Sequence, residues 1–186
     1  MPEQTSPREI IAFERDSRAF GYRVAGVVVD EGRVLLQKAD IDDFWIVPGG
    51  RVELREPAAE SLKREMMEEI GVEVTVERLL WVVENFFEYQ SMSCHEVAFY
   101  FLVSLPPGSP LYDKSQTFIG YEEYYNEFTN ENKLLLTFQW FPVDDLHSIA
   151  FYPSFLKDAL QSLPDNTVHV VHVDTVSGNP QEGKCA

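Results

Sequence analysis

Residues 50–72 read GRVELREPAAESLKREMMEEIGV, and this stretch is the most informative part of the chain. It contains a dense set of carboxylates with arginines among them, and a glycine lies near each end. Like charges at helical spacing repel one another, so an acidic helix of this kind needs a reason. The usual reason is a hard divalent cation, which prefers several oxygen ligands.

A helix over most of this stretch is predicted by its end signals and its apolar residues. Pro57 suits the first helical position, where its missing N–H group costs nothing. Gly71 suits the position just past the last turn. Between them, apolar residues recur at steps of three and four and predict a stripe that faces the core. They are Ala59, Leu62, Met66 and Ile70.

Three glutamates occupy another side of the same predicted helix. Glu65 precedes Glu68 by three residues and Glu69 by four, so their carboxylates are expected to reach one point in space. Arg64 stands beside them and within reach of Glu56, whose carboxylate its guanidinium can hold bidentately. The spacing therefore predicts a cation site together with an arginine that fixes the geometry of the preceding turn.

The simpler interpretation is a solvated acidic face with ordinary ion pairs such as Glu60–Arg64. Against it, Lys63 and Arg64 are not expected to reach the side that carries the three glutamates. A Pro-Gly-Gly turn at residues 48–50 also precedes the helix and follows a strand-like segment at residues 44–47. Such a turn lets bare backbone carbonyls approach a bound ion, which favours the metal site.

At this point the chain resembles the Nudix hydrolase family. The family signature fixes many positions at once, and the chain matches all of them, at Gly50, Glu56, Arg64, Glu65, Met66, Glu68, Glu69, Gly71 and Val72. The resemblance extends to residues 45–50 and 140–146, and it covers about residues 20–160, the size of one domain. Many members of the family have glycine at the position of Arg55. The arginine predicts a stiffer loop or a different substrate contact.

The resemblance implies an α/β fold, the Nudix-type α/β/α sandwich with a mixed sheet. It also implies Mg²⁺ or Mn²⁺ as the cofactor, with ligands from Glu65, Glu68, Glu69 and the carbonyl of Gly50. Cations held there would neutralise a pyrophosphate and activate a water. Glu56 and Arg64 are then orienting groups rather than direct ligands. Two interpretations of Glu53 stay open, because it can hold a metal-bound water or be a solvated loop residue.

A separate general base is expected, because in this family it often comes from a loop outside the signature. Residues 106–133 show no clear periodicity, and loops of that length are usually functional or mobile. Their acidic residues include Asp113, Glu122, Glu123, Glu127 and Glu131. Glu127 and Glu131 lie nearest the returning strand and rank first, although an ordinary acidic lid explains each one individually more often than not.

Substrate recognition usually needs an aromatic face for a base and a cation for phosphate. The candidates are Tyr22, Arg23, Trp45, Phe87, Tyr100, Tyr121 and Tyr124. Most aromatic residues in strands belong to the core. The candidates that stand out are therefore Arg23 and Trp45, at strand ends that could face the helix, with Tyr22 beside Arg23.

Composition indicates a soluble enzyme of the cytoplasm. The 186 residues, 45% hydrophobic and 13% aromatic, suffice for one domain with a sizeable core. Two cysteines make no disulfide framework, no apolar run could span a bilayer, and the first residues lack a signal-peptide pattern. A net charge of −16 opposes binding to a nucleic-acid polymer. The expected partner is a small nucleotide-type molecule, and a homodimer is considered as an assembly.

The remaining pattern predicts strands separated by turns. Strands are expected at residues 10–14, 22–30, 33–38, 44–47, 72–89, 96–105, 134–141 and 168–173, and a second helix at residues 153–163. The segment 72–89 is expected to form one long strand or a bent pair. We divide the chain into an N-terminal extension (1–18), a Nudix-type domain (19–163) and a C-terminal strand with a disordered tail (164–186).

The expected function is metal-dependent hydrolysis of a pyrophosphate linkage in a nucleoside diphosphate joined to another moiety. One alternative is a non-catalytic Nudix-like ligand sensor, which would not need every carboxylate. Another is a metal-dependent isomerase on the same fold, which would need further acid–base residues that the sequence does not identify. His169 with His172, and Cys94 with His95, predict no site, because strand residues three or one apart point to opposite faces.

Overall fold

The structure, a computed structural model, describes residues 9–123 and 133–174 and contains two β-sheets with helices packed against them. The strands are β1 (Ala12–Arg15), β2 (Arg18–Val27), β3 (Val29–Asp30), β4 (Arg33–Ala39), β5 (Thr75–Tyr89), β6 (Met92–Ser104), β7 (Phe118–Glu123), β8 (Lys133–Pro142) and β9 (Val168–Val173). The α-helices are α1 (Ala58–Ile70) and α2 (Leu156–Ala159), and 3-10 turns occupy Pro110–Tyr112 and Val143–Ser148.

The larger sheet is mixed, as predicted. Its strand order is β1-β2-β6-β5-β9, and that of the smaller sheet is β3-β4-β8-β7. Strand β2 runs parallel to β6 and β9 runs parallel to β5, whereas β5 and β6 form an antiparallel pair. The long strand expected at 72–89 is confirmed as β5, which bends at two register shifts near Val76 and Leu79.

Helices cover both faces of the larger sheet. The α1 residues Leu62 and Met66 are fully buried in one cluster with Val24 of β2. The α2 residue Leu156 lies in a second cluster with Ala25, the next residue of β2. Neighbouring strand residues point to opposite faces, so the two helices lie on opposite sides. This arrangement confirms the α/β/α class.

Helix α1 follows its sequence signals closely, with one correction at its start. Pro57 is the residue that caps the helix and not its first helical residue, because its ψ of 139° is extended. Gly71 ends the helix in the left-handed conformation, with φ of 71°, and its N–H group bonds to the carbonyls of Met66 and Met67. The predicted apolar stripe faces the core, since Leu62 and Met66 are 0% exposed.

Two predicted strands are wrong in their extent. The segment 44–47 makes isolated bridges, Trp45 to Phe151 and Ile46 to Gln37, because it passes between the two sheets and pairs with neither as a full strand. The predicted strand 22–30 is divided between β2 in the larger sheet and β3 in the smaller one.

The predicted helix 153–163 is also wrong in its extent, since regular α-helix covers only Leu156–Ala159. Most of the flanking backbone bonds are of the tighter i→i−3 type, such as Gln161 N–H to the Asp158 carbonyl at 3.1 Å, and side chains add tertiary contacts. Lys157 Nζ bonds to the carbonyl of Ile149 at 2.9 Å and Gln161 Nε2 to that of Val143 at 2.8 Å.

The segment 106–133 contains more regular structure than its sequence indicates. Strand β7 pairs along its whole length with β8, and the short run Pro110–Tyr112 forms a 3-10 turn. Gly120 interrupts the apolar pattern of β7, so periodicity did not predict this strand. Hydrogen bonding to β8 stabilises it in the folded protein.

No helix within the described ranges is long and apolar enough to cross a lipid bilayer.

Candidate active site

An ion pair between Arg64 and Glu56 fixes the turn that precedes the carboxylate helix. Arg64 Nε and Nη2 each donate to Glu56, at 2.9 Å to Oε1 and 2.9 Å to Oε2. The N–H group of Glu53 donates to Glu56 Oε2 at 3.3 Å, and Arg64 Nη2 also reaches the carbonyl of Arg51. These contacts hold the pKa of Glu56 below its ordinary value, with the Arg64 hydrogen bonds as the main cause. The geometry of this pair is compatible with the predicted role of orienting the turn.

Arg55, in the same turn, adopts a conformation that favours glycine. Its φ is 68°, in the left-handed region. The resemblance placed glycine at this position in many members, so the chain keeps the backbone shape and lacks the residue that adopts it most easily.

Arg64 also reaches the helix carboxylates, contrary to the expectation. Its Nη1 donates to Glu65 Oε1 at 2.8 Å and to Glu68 Oε2 at 3.1 Å. The prediction was wrong for two reasons: Glu68 lies four positions after Arg64, at the spacing where helix side chains meet, and the long Arg64 side chain also reaches the adjacent Glu65. Lys63 pairs with Glu60 at 2.9 Å, in place of the Glu60–Arg64 pair considered from the sequence.

Gly50 leaves room for the carboxylate of Glu65. A Cβ built on Gly50 would lie 2.2 Å from Glu65 Cδ and 2.4 Å from its Oε2. Any larger residue at position 50 would displace this buried carboxylate, which is 5% exposed. The carbonyl of Gly50 accepts the Val24 N–H at 2.9 Å, and a carbonyl oxygen has a second lone pair for another partner.

Glu69 is the most constrained acid of the helix. It is 4% exposed, and its Oε2 has no hydrogen-bond partner among residues 9–123 and 133–174. Burial raises its pKa well above the ordinary value, and the charges of Glu65 and Glu122 raise it further. Arg23 and a hydrogen bond from Gln37 act in the opposite direction. A buried oxygen without a partner among repelling carboxylates is suited to a cation.

The carboxylates of Glu65, Glu68 and Glu69, which were predicted to reach one point in space, do not converge in this structure. Within the described part of the chain, no three Asp, Glu, His or Cys side chains are arranged to hold an ion between them. The reason is visible in the contacts, because Arg64 draws Glu65 and Glu68 towards itself. The chemistry of the donors nevertheless fits a hard cation, with buried carboxylate oxygens, one of them unpartnered, beside a glycine carbonyl.

Arg23 holds the glycine turn from the other side. Its Nη2 donates to the carbonyl of Gly49 at 2.9 Å and to that of Val47 at 3.4 Å. The charges of Glu96 and Glu69 raise its pKa, although burial lowers it. Arg23, predicted to bind substrate, therefore lies between the turn and two acidic groups.

The two aromatic substrate candidates pack against other rings. Tyr22 meets Phe99 edge to face, with centroids 5.2 Å apart, on the face of β2 opposite to Arg23. Trp45 meets Phe141 at 4.7 Å, and Lys38 Nζ lies 5.3 Å from the centre of its ring. The structure places both rings in the packing between elements.

Glu122 is a residue that the sequence ranking missed. Strand β7 lies so close to α1 that a Cβ on Gly120 would be 2.0 Å from the carbonyl oxygen of Glu69. Glu122 follows two residues later, on the same face of β7, and its charge acts on Glu69, Arg23 and Asp42. The alternation of side chains along β7 is the sequence feature that could have placed Glu122 on the same face as Gly120. Glu127 and Glu131, which ranked first, lie outside the described residues.

Comparison with known proteins finds similarity over the part of the chain that contains these residues. A family model described as the NUDIX domain matches residues 20–163. A "MutT-like protein" of Streptomyces ambofaciens is 41% identical over 63 residues, which are 33% of this chain and 41% of that protein. An "8-oxo-dGTP diphosphatase" of Buchnera aphidicola is 30% identical over 69 residues, 35% of this chain and 53% of that protein. The chain thus spans about half the length, or less, of these curated relatives.

Solved structures share the fold. The MutT protein from Bacillus halodurans superimposes with a TM-score of 0.51 at 20% identity, over 84% of this chain and 91% of that one. A hydrolase from Nitrosomonas europaea gives a TM-score of 0.50 at 18% identity, over 83% and 79%.

Proposed function

Because this chain belongs to the Nudix family, we propose that it is a divalent-metal-dependent hydrolase acting on a pyrophosphate linkage. The substrate is a nucleoside diphosphate joined to another moiety. The observation that carries the proposal is the buried carboxylate Glu69, whose Oε2 lacks a partner within the described residues while Glu65 packs against Gly50 nearby. A ligand sensor would have no need to keep these repelling acids buried.

Glu65, Glu68, Glu69 and the Gly50 carbonyl would hold Mg²⁺ or Mn²⁺. When bound, the cation supplies charge neutralisation for the anionic linkage and lowers the pKa of the attacking water. The ion pairs of Arg64 with Glu65 and Glu68 orient these carboxylates before the cation arrives. The bidentate pair of Arg64 with Glu56 holds the turn 51–56 against the helix. The candidate ligand atoms therefore keep fixed positions relative to one another.

A panel assay tests the proposal. Nucleoside diphosphate sugars, nucleoside triphosphates and dinucleoside polyphosphates are each incubated with Mg²⁺ or Mn²⁺, and released phosphomonoester is measured. We expect turnover on at least one class, abolished by chelator and lost in Glu69→Gln. Glu60→Gln is the matched control, because Glu60 is on the same helix but exposed and paired with Lys63. An inactive panel with every cation would contradict the proposal.

We propose that the general base comes from residues 118–131. Glu122 is supported by its position beside the carboxylate helix, and Glu127 and Glu131 are the candidates from the sequence. Replacing the base by glutamine should lower kcat while Mn²⁺ affinity stays within a few-fold, because none of the three is on α1. The three single variants are compared under saturating substrate. Parental turnover in all three and in the triple variant would place the base elsewhere, with Glu53 the next candidate.

A further inference from the structure

A row of polar side chains crosses the larger sheet on the face that carries Arg23. Gly21 of β2 pairs with Glu96 of β6, Glu96 pairs with Asn85 of β5, and Asn85 pairs with His172 of β9. Partners in register project from the same face and lie within contact distance. A carboxylate and a carboxamide therefore stand side by side, with a glycine next to the carboxylate.

The middle of this row is buried but not satisfied. Asn85 is 4% exposed, and its Oδ1 has no hydrogen-bond partner among the residues that the structure describes. The end of the row is different, since His172 Nε2 lies 3.1 Å from Ser154 Oγ. Leaving a buried amide oxygen unpaired costs stability, so an oxygen of this kind indicates that a ligand supplies the missing partner.

Open space adjoins the pair. A Cβ built on Gly21 would meet no atom within 4 Å, and it would project from the same face as Glu96. Along β5 on that face, Phe87 and then Tyr89 follow Asn85, and Tyr89 meets the ring of Phe44 at 6.1 Å. Aromatic rings thus follow the polar pair, as in sites that stack a planar base.

The row connects to the candidate active site through Arg23. This residue lies two positions after Gly21 on the same face of β2. Its charge interacts with Glu96 on one side and with Glu69 of the carboxylate helix on the other. Helix α1 covers the opposite face of the sheet, but the glycine turn pairs with β2 beside Arg23, since the Gly50 carbonyl accepts the Val24 N–H and Arg23 Nη2 donates to the Gly49 carbonyl at 2.9 Å. A ligand with its phosphates at this turn could therefore extend its base along the Arg23 face.

We propose that Glu96 and Asn85 form a subsite that reads the base of the substrate, and that the base is guanine or a ring with the same edge. This inference rests on the proposed function. Guanine presents its N1–H and its exocyclic amino group side by side, and the two oxygens of one carboxylate can accept both. The Asn85 oxygen accepts a further N–H group. Adenine presents a ring acceptor beside its amino group, which would place a lone pair against the carboxylate of Glu96.

Binding of GMP and AMP in chelator tests the subsite without any metal. The two nucleotides carry the same phosphate, so a difference in Kd measured by calorimetry reports the base. We expect GMP to bind about tenfold or more tightly than AMP, as bidentate recognition of a base edge produces. The preference should be lost in Glu96→Gln. Glu84→Gln is the matched control, because Glu84 lies on the opposite face of β5 and pairs with His169 at 2.8 Å.

A second variant keeps the test independent of the stability of Glu96→Gln. Gly21→Leu fills the open space beside Glu96 and should abolish GMP binding, whereas Gly21→Ala should weaken it less. Equal affinity for GMP and AMP, no measurable binding of either, or a GMP preference that survives Glu96→Gln or Gly21→Leu would each overturn the proposal. Hydrolysis without base preference would sink this inference alone. GMP-selective binding in a protein that hydrolyses nothing would instead sink the proposed activity.

Discussion

The proposed chemistry of this protein depends on a few carboxylates whose positions cost folding free energy. Glu69 is the clearest case, because it is buried, its Oε2 is unpartnered in the described part of the chain, and Glu65 and Glu122 both repel it. A group in that situation weakens the fold and is retained for what it binds. The buried, unpartnered carboxylate that destabilises the fold is therefore the same group that is proposed to bind the cation.

Removing one of these charges should separate function from stability. We expect Glu69→Gln and Glu68→Gln to lower kcat at least about a hundredfold, because each loses a proposed metal ligand. The melting temperature without metal should hold steady or rise, since repulsion is relieved. Steady-state kinetics and thermal melts in chelator measure the two effects. Near-normal turnover in both variants would show that these carboxylates are not metal ligands.

Arg55 stores backbone strain in the turn that Arg64 holds. Its φ of 68° costs a residue with a Cβ about 1 kcal/mol relative to glycine. We therefore expect Arg55→Gly to melt at the same or a higher temperature than the parent, and clearly above Arg55→Ala, which keeps the Cβ. Thermal denaturation of the parent, Arg55→Gly and Arg55→Ala measures these differences in melting temperature. A melting temperature for Arg55→Gly below that of Arg55→Ala would show that the strain is absent in solution.

At the scale of elements, close packing of β7 against α1 builds the site. Gly120 permits the contact, since a Cβ there would lie 2.0 Å from the Glu69 carbonyl oxygen and 2.9 Å from Phe138. That contact places Glu122, on the same face of β7, beside the carboxylates of the helix. The candidate site thus depends on a strand that comes from outside the signature segment of residues 50–72.

A methyl group at this contact should destabilise the protein. Gly120→Ala must move β7 away from α1, and overpacking of this kind typically costs about 1–3 kcal/mol, which lowers the melting temperature by several degrees. Gly21→Ala, also in a strand but with nothing within 4 Å of the added carbon, is the matched control. If the two variants melt together, β7 does not pack on α1 as described.

For the whole molecule, charge should link folding to the binding of the proposed cation. The chain carries a net charge of −16, and its helix holds buried acids that repel one another. A ligand that binds the folded state alone stabilises it by mass action. A divalent cation should therefore act on the entire fold and not on the active site alone.

Thermal scans can measure this coupling. Millimolar Mn²⁺ should raise the melting temperature above that in chelator, and Glu69→Gln should reduce the difference, while Glu60→Gln should leave it intact. Equal midpoints across a metal titration, together with no heat of binding, would contradict the proposed site.

Residue spacing was sufficient to predict the helix, its apolar stripe, its capping glycine and the family resemblance. These features are local, since the residues that form them lie within one or two turns of each other, and spacing alone expresses them. The bidentate pair of Arg64 with Glu56 was accessible for the same reason. The mixed sheet and the long strand β5 followed from the resemblance and from apolar runs that can form little else.

Features that depend on distant segments became visible in the folded structure and could not be read from spacing. It placed Gly120 of β7 against the backbone of Glu69, brought Arg23 to the carbonyl of Gly49, and set Asn85 beside Glu96. It also showed that Arg64 reaches Glu65 and Glu68, which spacing had not led us to expect. Contacts of this kind depend on sheet register and on side-chain paths between elements. Neither is encoded in the periodicity of one segment, because the same pattern is compatible with many partners.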